Sequence, residues 1–494
     1  MEKESISSAS TQSLVNDVAN LSLDTRLDPI VSKFNNIAGH ELGMNDIQEY
    51  RDSFSKDPKN LLAMHTLSKQ SYVTGLENRD VYLENKPIFN KKISLEGKIT
   101  NQKSSGRCWL FAGLNVMRLQ LMKKYNLENL ELSQTYLFFY DKMEKSNWYL
   151  NLMEETADDE LDGRVVQYLL NSPVQDGGQW DMFVALVENA GMDSLITTLL
   201  HKYGKEIRDA VHIKQTPLEK NKVAQEIRSK CLEEIYRILC VSLGTPPQKF
   251  DWIVYNKDKE CIELNDQTPL DFYKAHFPNG LQQTISLIHD PRNEYFKVYT
   301  VKYLGNVVGA STQVRYINVP VEKMKCLAAQ AIVLKNKPVW FGCDVGKFRS
   351  STNGVLDINV IDYKSGFGID GLYTKFSKAE RLRYGESLMT HAMVLTGLQL
   401  ESKNKDEDKT QTGTNANCKD DDPKKCRKVS RWRVENSWGE DNGNKGYLTM
   451  SNDWFNEFVY QIVLDFEDVP KDLLDLLTME PIVLPPWDPM GALA

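Results

Sequence analysis

Residues 102–111 read Gln-Lys-Ser-Ser-Gly-Arg-Cys-Trp-Leu-Phe, which sets Cys108 just after a glycine-containing turn and at the head of an apolar run. Leu110, Leu114, Met117 and Leu121 recur at helical spacing, so a helix is predicted from Cys108 to about Tyr125. A thiol is mostly protonated at neutral pH, and two devices favour its thiolate. One is a helix N-terminus, whose unsatisfied N–H groups attract an anion. The other is a neighbouring imidazolium, and together they can bring a thiol pKa down to about 3–4. Cys108 has the predicted helix, so the search moves outward for the ring.

Two strand-like segments supply the other parts. His391-Ala-Met-Val-Leu-Thr-Gly holds the histidine, and Arg433-Val-Glu-Asn-Ser-Trp-Gly places Asn436 and Trp438 at its end. His391 is the expected general base and acid. Asn436 would orient its ring by accepting a hydrogen bond. Trp438 would shield the pair from water. Gln102, six residues before the cysteine, would donate to an oxyanion together with the Cys108 backbone N–H. Singly, these read as a core cysteine, a satisfied interior histidine and a turn asparagine. In this order and with these flanks, they read as a thiol hydrolase that needs no metal and no organic cofactor.

The same segments resemble the papain superfamily. Gln102 to Phe111 is similar to its nucleophile motif, Leu132-Ser-Gln to the segment after its first helix, and Asp176-Gly-Gly to its double-glycine turn. His391-Ala-Met-Val, Asn436-Ser-Trp-Gly and Gly446-Tyr-Leu resemble its later strands. The resemblance implies an α+β fold, a papain-like core with a helical half and an antiparallel β-barrel half. In the family pattern, His and Asn follow the cysteine by about 130–150 residues, whereas here the gaps are roughly 280 and 330. A large insertion between Cys108 and His391 is therefore expected. A polar segment, 401–430, accounts for the long His391-to-Asn436 gap. Loop closure cost grows slowly with length, so neither insertion undermines the site.

A narrower resemblance is to the bleomycin hydrolase family, a cytosolic branch. It rests on residues 101–112, on Glu386-Ser-Leu-Met-Thr-His-Ala-Met, on Arg433 to Gly439, and on Trp487-Asp-Pro-Met-Gly-Ala-Leu. It implies a homohexamer with active sites facing an internal channel, and a C-terminal arm, residues 481–494, lying in the active-site cleft. On that reading Leu493 and the Ala494 carboxylate position a substrate's free N-terminus, which makes the enzyme an aminopeptidase. The family also implies amide substrates such as bleomycin and trimming of the chain's own C-terminal residue. Ala494 is then either the native or the trimmed end. The composition of the tail agrees with an ordered arm, since Pro485, Pro486 and Pro489 stiffen it and Trp487, Met490 and Leu493 offer apolar anchors.

Composition narrows the remaining choices. An apolar content of 41% with 26% charged residues is that of an ordinary globular chain. The net charge of −8 argues against general nucleic-acid affinity. The basic cluster Lys424-Lys-Cys-Arg-Lys428, with Lys403, Lys405 and Lys409, keeps a nucleic-acid channel as an alternative role. Asp406, Glu407, Asp408 and Asp420 to Asp422 oppose it, and no aromatic residues interleave for base stacking. A thiol endopeptidase is the second alternative. The eight cysteines are scattered without a CxxC pair, so neither a disulfide framework nor a zinc site is expected. Met1 to Ser8 has no apolar signal-peptide core, and no segment has the apolar length of a membrane span. A cytoplasmic location is the expectation.

The expected organisation follows. Residues 1–40 are weakly ordered, with a short helix near Leu14 to Leu23. Residues 41–200 hold an N-terminal extension and the helical half of the core. Residues 201–325 form a largely helical insertion, a candidate for self-association, with a surface helix over Lys220 to Val241. Residues 326–480 form the β-barrel half, with strands at Lys337 to Gly342, His391 to Leu400 and Arg431 to Glu435, and residues 481–494 the arm.

Overall fold

The computed structural model describes residues 42–186, 194–278, 280–310, 313–372, 375–401 and 428–493. The expected helix near Leu14, most of the polar segment 401–430 with its basic cluster, and Ala494 lie outside the described residues. The chain divides after His65 into two units. In the first, α1 (Met44–Lys56) begins where the Asp46 carboxylate accepts the Gly43 N–H at 2.7 Å, and it buries none of its residues.

The second unit contains the helical half. Helix α2 (Cys108–Lys124) starts at the cysteine, as its apolar spacing predicts, and is buried on all sides from Cys108 to Asn115. Helix α3 (Gln134–Glu155) begins under a Ser133 cap, whose hydroxyl accepts the Tyr136 N–H at 3.2 Å. It runs for 22 residues. Its later turns carry Lys142 and Lys145, and Lys145 donates to the carbonyls of Gln175 at 2.7 Å and Gly177 at 2.8 Å. Lys142 pairs with Asp176 at 2.9 Å. These lysines hold the double-glycine turn in place. Gly178 is required there, because a Cβ would meet the Trp109 indole at 2.5 Å. The turn leads into α4 (Trp180–Leu186).

Helices α5 (Ser194–Ile213) and α6 (Pro217–Leu243) follow. The Lys220–Val241 helix is present and longer than predicted, and its start is set by a Thr216/Glu219 capping box with Pro217 in the first turn. It is not simply a surface helix. Ala224, Cys231, Ile235 and Leu239 are fully buried in a cluster with Leu200, Tyr203 and Ile207 of α5 and Tyr149 and Met153 of α3.

The expectation that residues 201–325 are largely helical fails after Leu243. A two-stranded hairpin, β2 (Phe250–Tyr255) and β3 (Cys261–Gln267), comes next. Then β4 (Thr284–Ile288), β5 (Val298–Val301) and β6 (Tyr316–Asn318) join the main sheet. These strands are short and buried, and β4 pairs with β13 (Val459–Asp465), far away in sequence. Such runs carry little local signal.

Among the described residues the main sheet has 12 strands, with β8 (Arg349–Ser350) and β9 (Val355–Leu356) at one edge. Its centre is β13, β7 (Val339–Cys343), β10 (His391–Leu400), β11 (Val429–Glu435) and β12 (Tyr447–Ser451), all antiparallel neighbours. β10 spans the predicted His391 to Leu400. β7 and β11 are displaced from the predicted bounds by one or two residues. β1 (Lys91–Lys92) pairs with the far part of β10, and β14 (Ile482–Leu484) adds the tail to β5 in parallel.

A buried ion pair ties the two halves. Arg118 of α2 meets Glu435 of β11 at 2.7 Å, and both side chains are nearly fully buried. Burial pushes Glu435 up to about 7 against the pull of Arg118. Arg118→Met should cost about 3–5 kcal/mol, because it leaves a buried carboxylate without its cation. The change should appear as a lowered urea midpoint, and an unaltered midpoint would dismiss the pair as a stabilising tie.

Candidate active site

Three elements converge. Cys108 is the first residue of α2. His391 opens β10, opposite Cys343 in β7. Asn436 directly follows β11, whose Glu435 faces Val394. α2 packs on β10, and Cys108, Trp109, Leu110, Ala392 and Val394 share one apolar cluster. Cys108 and His391 are both buried.

His391 Nε2 lies 2.9 Å from Asn436 Oδ1. The same oxygen accepts the Ser437 backbone N–H at 2.8 Å. A backbone N–H can only donate, so the atom facing it must be the amide oxygen, and the His391 proton therefore sits on Nε2. Nδ1 is then the basic nitrogen. The Trp438 indole covers the ring, with centroids 4.8 Å apart and a tilt of 31°.

Gln102 is buried and fixed to the Asn436 loop. Its backbone N–H donates to Ser437 O at 2.7 Å, and its Oε1 accepts from Ser437 Oγ at 2.6 Å. That arrangement sets the amide's orientation. One amide N–H is spent on Ser105 O at 2.5 Å, and the second has no acceptor among the described residues. Asn101 bridges Trp438, and Gly439 N–H donates to Thr100 O at 3.0 Å. The nucleophile turn and the asparagine loop therefore form one clamp.

The helix N-terminus and the ring are two devices that favour the thiolate, and burial opposes both. Here burial pushes Cys108 up to about 11, while the backbone N–H groups of Ala392, Trp109 and Cys108 pull it down less strongly. Burial likewise brings His391 down to about 4, aided by the nearby Arg349 charge and opposed by the Asn436 bond. Neither charge is favoured alone. Desolvation is a tertiary effect that helix position and residue type do not reveal.

The C-terminal arm reaches this region. Gln179 Nε2 donates to Ala492 O, and Tyr316 Oη donates to Met490 O at 3.3 Å. Asp488 accepts from Arg292 at 2.8 Å, and Arg164 stacks on Trp487 at 3.9 Å. Met490 is buried in the cluster that contains Cys108, and Ala492 and Leu493 pack against it. Ser437, Gln179 and Arg349 were missed by the sequence reading. Ser437 stood inside a quoted motif, but nothing local distinguishes a locking hydroxyl from a turn residue. Asp465, Glu467 and Asp468 come close enough to hold an ion, but the Lys337 ammonium lies among them at 2.5, 2.6 and 2.7 Å. The six cysteines among the described residues form no disulfide, and no helix there is long and apolar enough to cross a membrane.

Comparisons with known proteins identify the family. Residues 41–491 match the sequence profile of the Peptidase C1-like family. The chain is 40% identical over 480 residues to bleomycin hydrolase of Gallus gallus, covering 92% of this chain and 99% of that one. It is 36% identical over 468 residues to aminopeptidase C of Listeria monocytogenes, with coverage of 92% and 99%. Among solved structures, PepW from Lactobacillus rhamnosis superposes with a TM-score of 0.81 at 36% identity, covering 92% of this chain and 99% of that chain.

Proposed function

The chain belongs to the Peptidase C1-like family, and as a cysteine aminopeptidase of the bleomycin hydrolase type it works, we propose, through Cys108, His391 and Asn436. The observation that carries this assignment is the His391 Nε2–Asn436 Oδ1 bond, made beside the helix that begins at Cys108.

In this mechanism the two groups start neutral. Burial penalises each charge separately, but moving the thiol proton to His391 Nδ1 creates both charges at once, each stabilised by the other. The Cys108 sulfur attacks the scissile carbonyl. Its oxyanion is met by the spare Gln102 N–H and the Cys108 backbone N–H. His391 then passes its Nδ1 proton to the departing amine, leaving an acyl-thioester. Water, deprotonated by the same nitrogen, hydrolyses the ester and regenerates the thiol. Asn436 accepts from Nε2–H throughout and so holds the ring in one tautomer.

Substrates are peptides with a free N-terminus and related amides such as bleomycin. The arm supports exopeptidase action, because Ala492 and Leu493 pack against the apolar cluster that includes Cys108. The Ala494 carboxylate would meet the substrate's α-ammonium. Homohexamer assembly and a cytoplasmic location remain part of the proposal by likeness to the same family, and light scattering tests the first.

Asn436→Ala tests the orienting role. It removes the acceptor for both His391 and the Ser437 N–H, and kcat should fall about 100-fold with a smaller change in KM. Unchanged kcat on a free-amino arylamide would reject Asn436 as the orienting group.

A further inference from the structure

A cavity of about 730 Å³ is lined by Arg349 together with Tyr72, Glu77, Phe348, Thr352 and Glu386. The half-buried Arg349 guanidinium lies over the Trp438 indole, 4.5 Å from its centroid. That indole in turn covers His391 at 4.8 Å. The cavity therefore begins one indole away from the proposed catalytic base.

Arg349 is paired with no carboxylate among the described residues, and burial alone holds it below the usual arginine range. The acids in the same wall are already engaged. Glu77 accepts from Ser350 Oγ at 2.6 Å and from Asn353 Nδ2 at 2.9 Å, and Glu386 pairs with Lys347 at 2.7 Å. A half-buried guanidinium with five donors and no anion is a receptor for a carboxylate.

Direction follows from the mechanism. His391 hands its proton to the leaving amine, so the leaving peptide departs on the His391–Trp438 side. Gly491 and Leu493 of the arm line a different cavity, of about 90 Å³, and no described arm residue lines this one. Two extended residues span at most about 7 Å. The His391 ring, the Trp438 indole and the Arg349 guanidinium follow one another at 4.8 and 4.5 Å, so an acidic side chain or a C-terminal carboxylate within about two residues, together with the length of its hydrogen bond to the guanidinium, is the reach to be tested.

We propose that this cavity receives the leaving peptide, and that Arg349 is a specificity residue for a carboxylate carried within two residues after the scissile bond. The proposal rests on the aminopeptidase reading above. The carboxylate comes either from the C-terminus of a short peptide or from an acidic side chain next to the cleaved bond, and two substrate pairs separate these sources. Initial release of the first alanine is measured for Ala-Ala-Ala against its C-terminal amide, and for Ala-Glu-Ala-amide against Ala-Gln-Ala-amide.

The wild-type enzyme should prefer the carboxylate member of at least one pair by roughly tenfold in kcat/KM, mostly through KM. Arg349→Gln should bring that ratio to within about twofold, and Arg349→Lys should keep part of it. Each ratio is internal to one protein, so a general loss of activity in a variant does not disturb it. Ratios near one for both pairs in the wild type, or a preference that survives Arg349→Gln, would overturn the proposal. If the wild type cleaves none of the four peptides and no free-amino arylamide, the aminopeptidase reading itself fails, and that result is separate from the ratios.

Discussion

Cys108→Ser is expected to lower kcat by roughly 10⁵- to 10⁶-fold on a free-amino arylamide while leaving the thermal midpoint within a few degrees of wild type. The side chain is buried and starts a helix packed on all sides, and the oxygen-for-sulfur exchange removes little volume. The chemistry changes far more. Burial already lifts the thiol to about 11, and an alcohol starts several units higher, so passing its proton to His391 is costlier by that difference. Rates are to be measured on protein from a host free of contaminating peptidases. Activity within a factor of ten of wild type would refute the nucleophile assignment.

Deleting residues 491–494 is expected to remove the discrimination against blocked N-termini. The ratio of kcat/KM for free-amino over acetylated substrates should fall by roughly ten- to hundredfold, the worth of one charge-assisted hydrogen bond together with the lost barrier. The arm should otherwise stay in place. Met490 remains buried, Asp488 keeps Arg292, and β14 remains paired with β5. Cleavage inside an acetylated peptide, followed by mass spectrometry, checks the outcome. A truncated enzyme that still turns over only free-amino substrates would show that the arm does not set where the chain is cut.

These two expectations draw on different kinds of legibility. The helix at Cys108 was readable because its apolar residues repeat at a short spacing, and β10 because the ten residues from His391 are mostly apolar. The tail was readable because prolines and anchors are visible without any partner. The strands within 284–318 were not readable, since runs of three to five residues acquire identity only from partners such as β13 and β14. The Gln102–Ser437 lock was equally hidden, because its two bonds join positions more than three hundred residues apart.

By itself, the sequence determined the chemical parts: a thiol at a helix start, a ring, an orienting amide, an oxyanion donor and a stiff apolar tail. Those follow from residue type and short-range periodicity, which the chain carries locally. Only the tertiary structure decided the energetics and the surroundings. Burial made both members of the thiol–imidazole pair reluctant to charge singly, and the Asn436 loop clamped the nucleophile turn. Packing set Arg349 over Trp438 in the wall of a recess that also holds Glu77 and Glu386. Desolvation and direction of approach depend on atoms distant in sequence, and folding alone brings those atoms together.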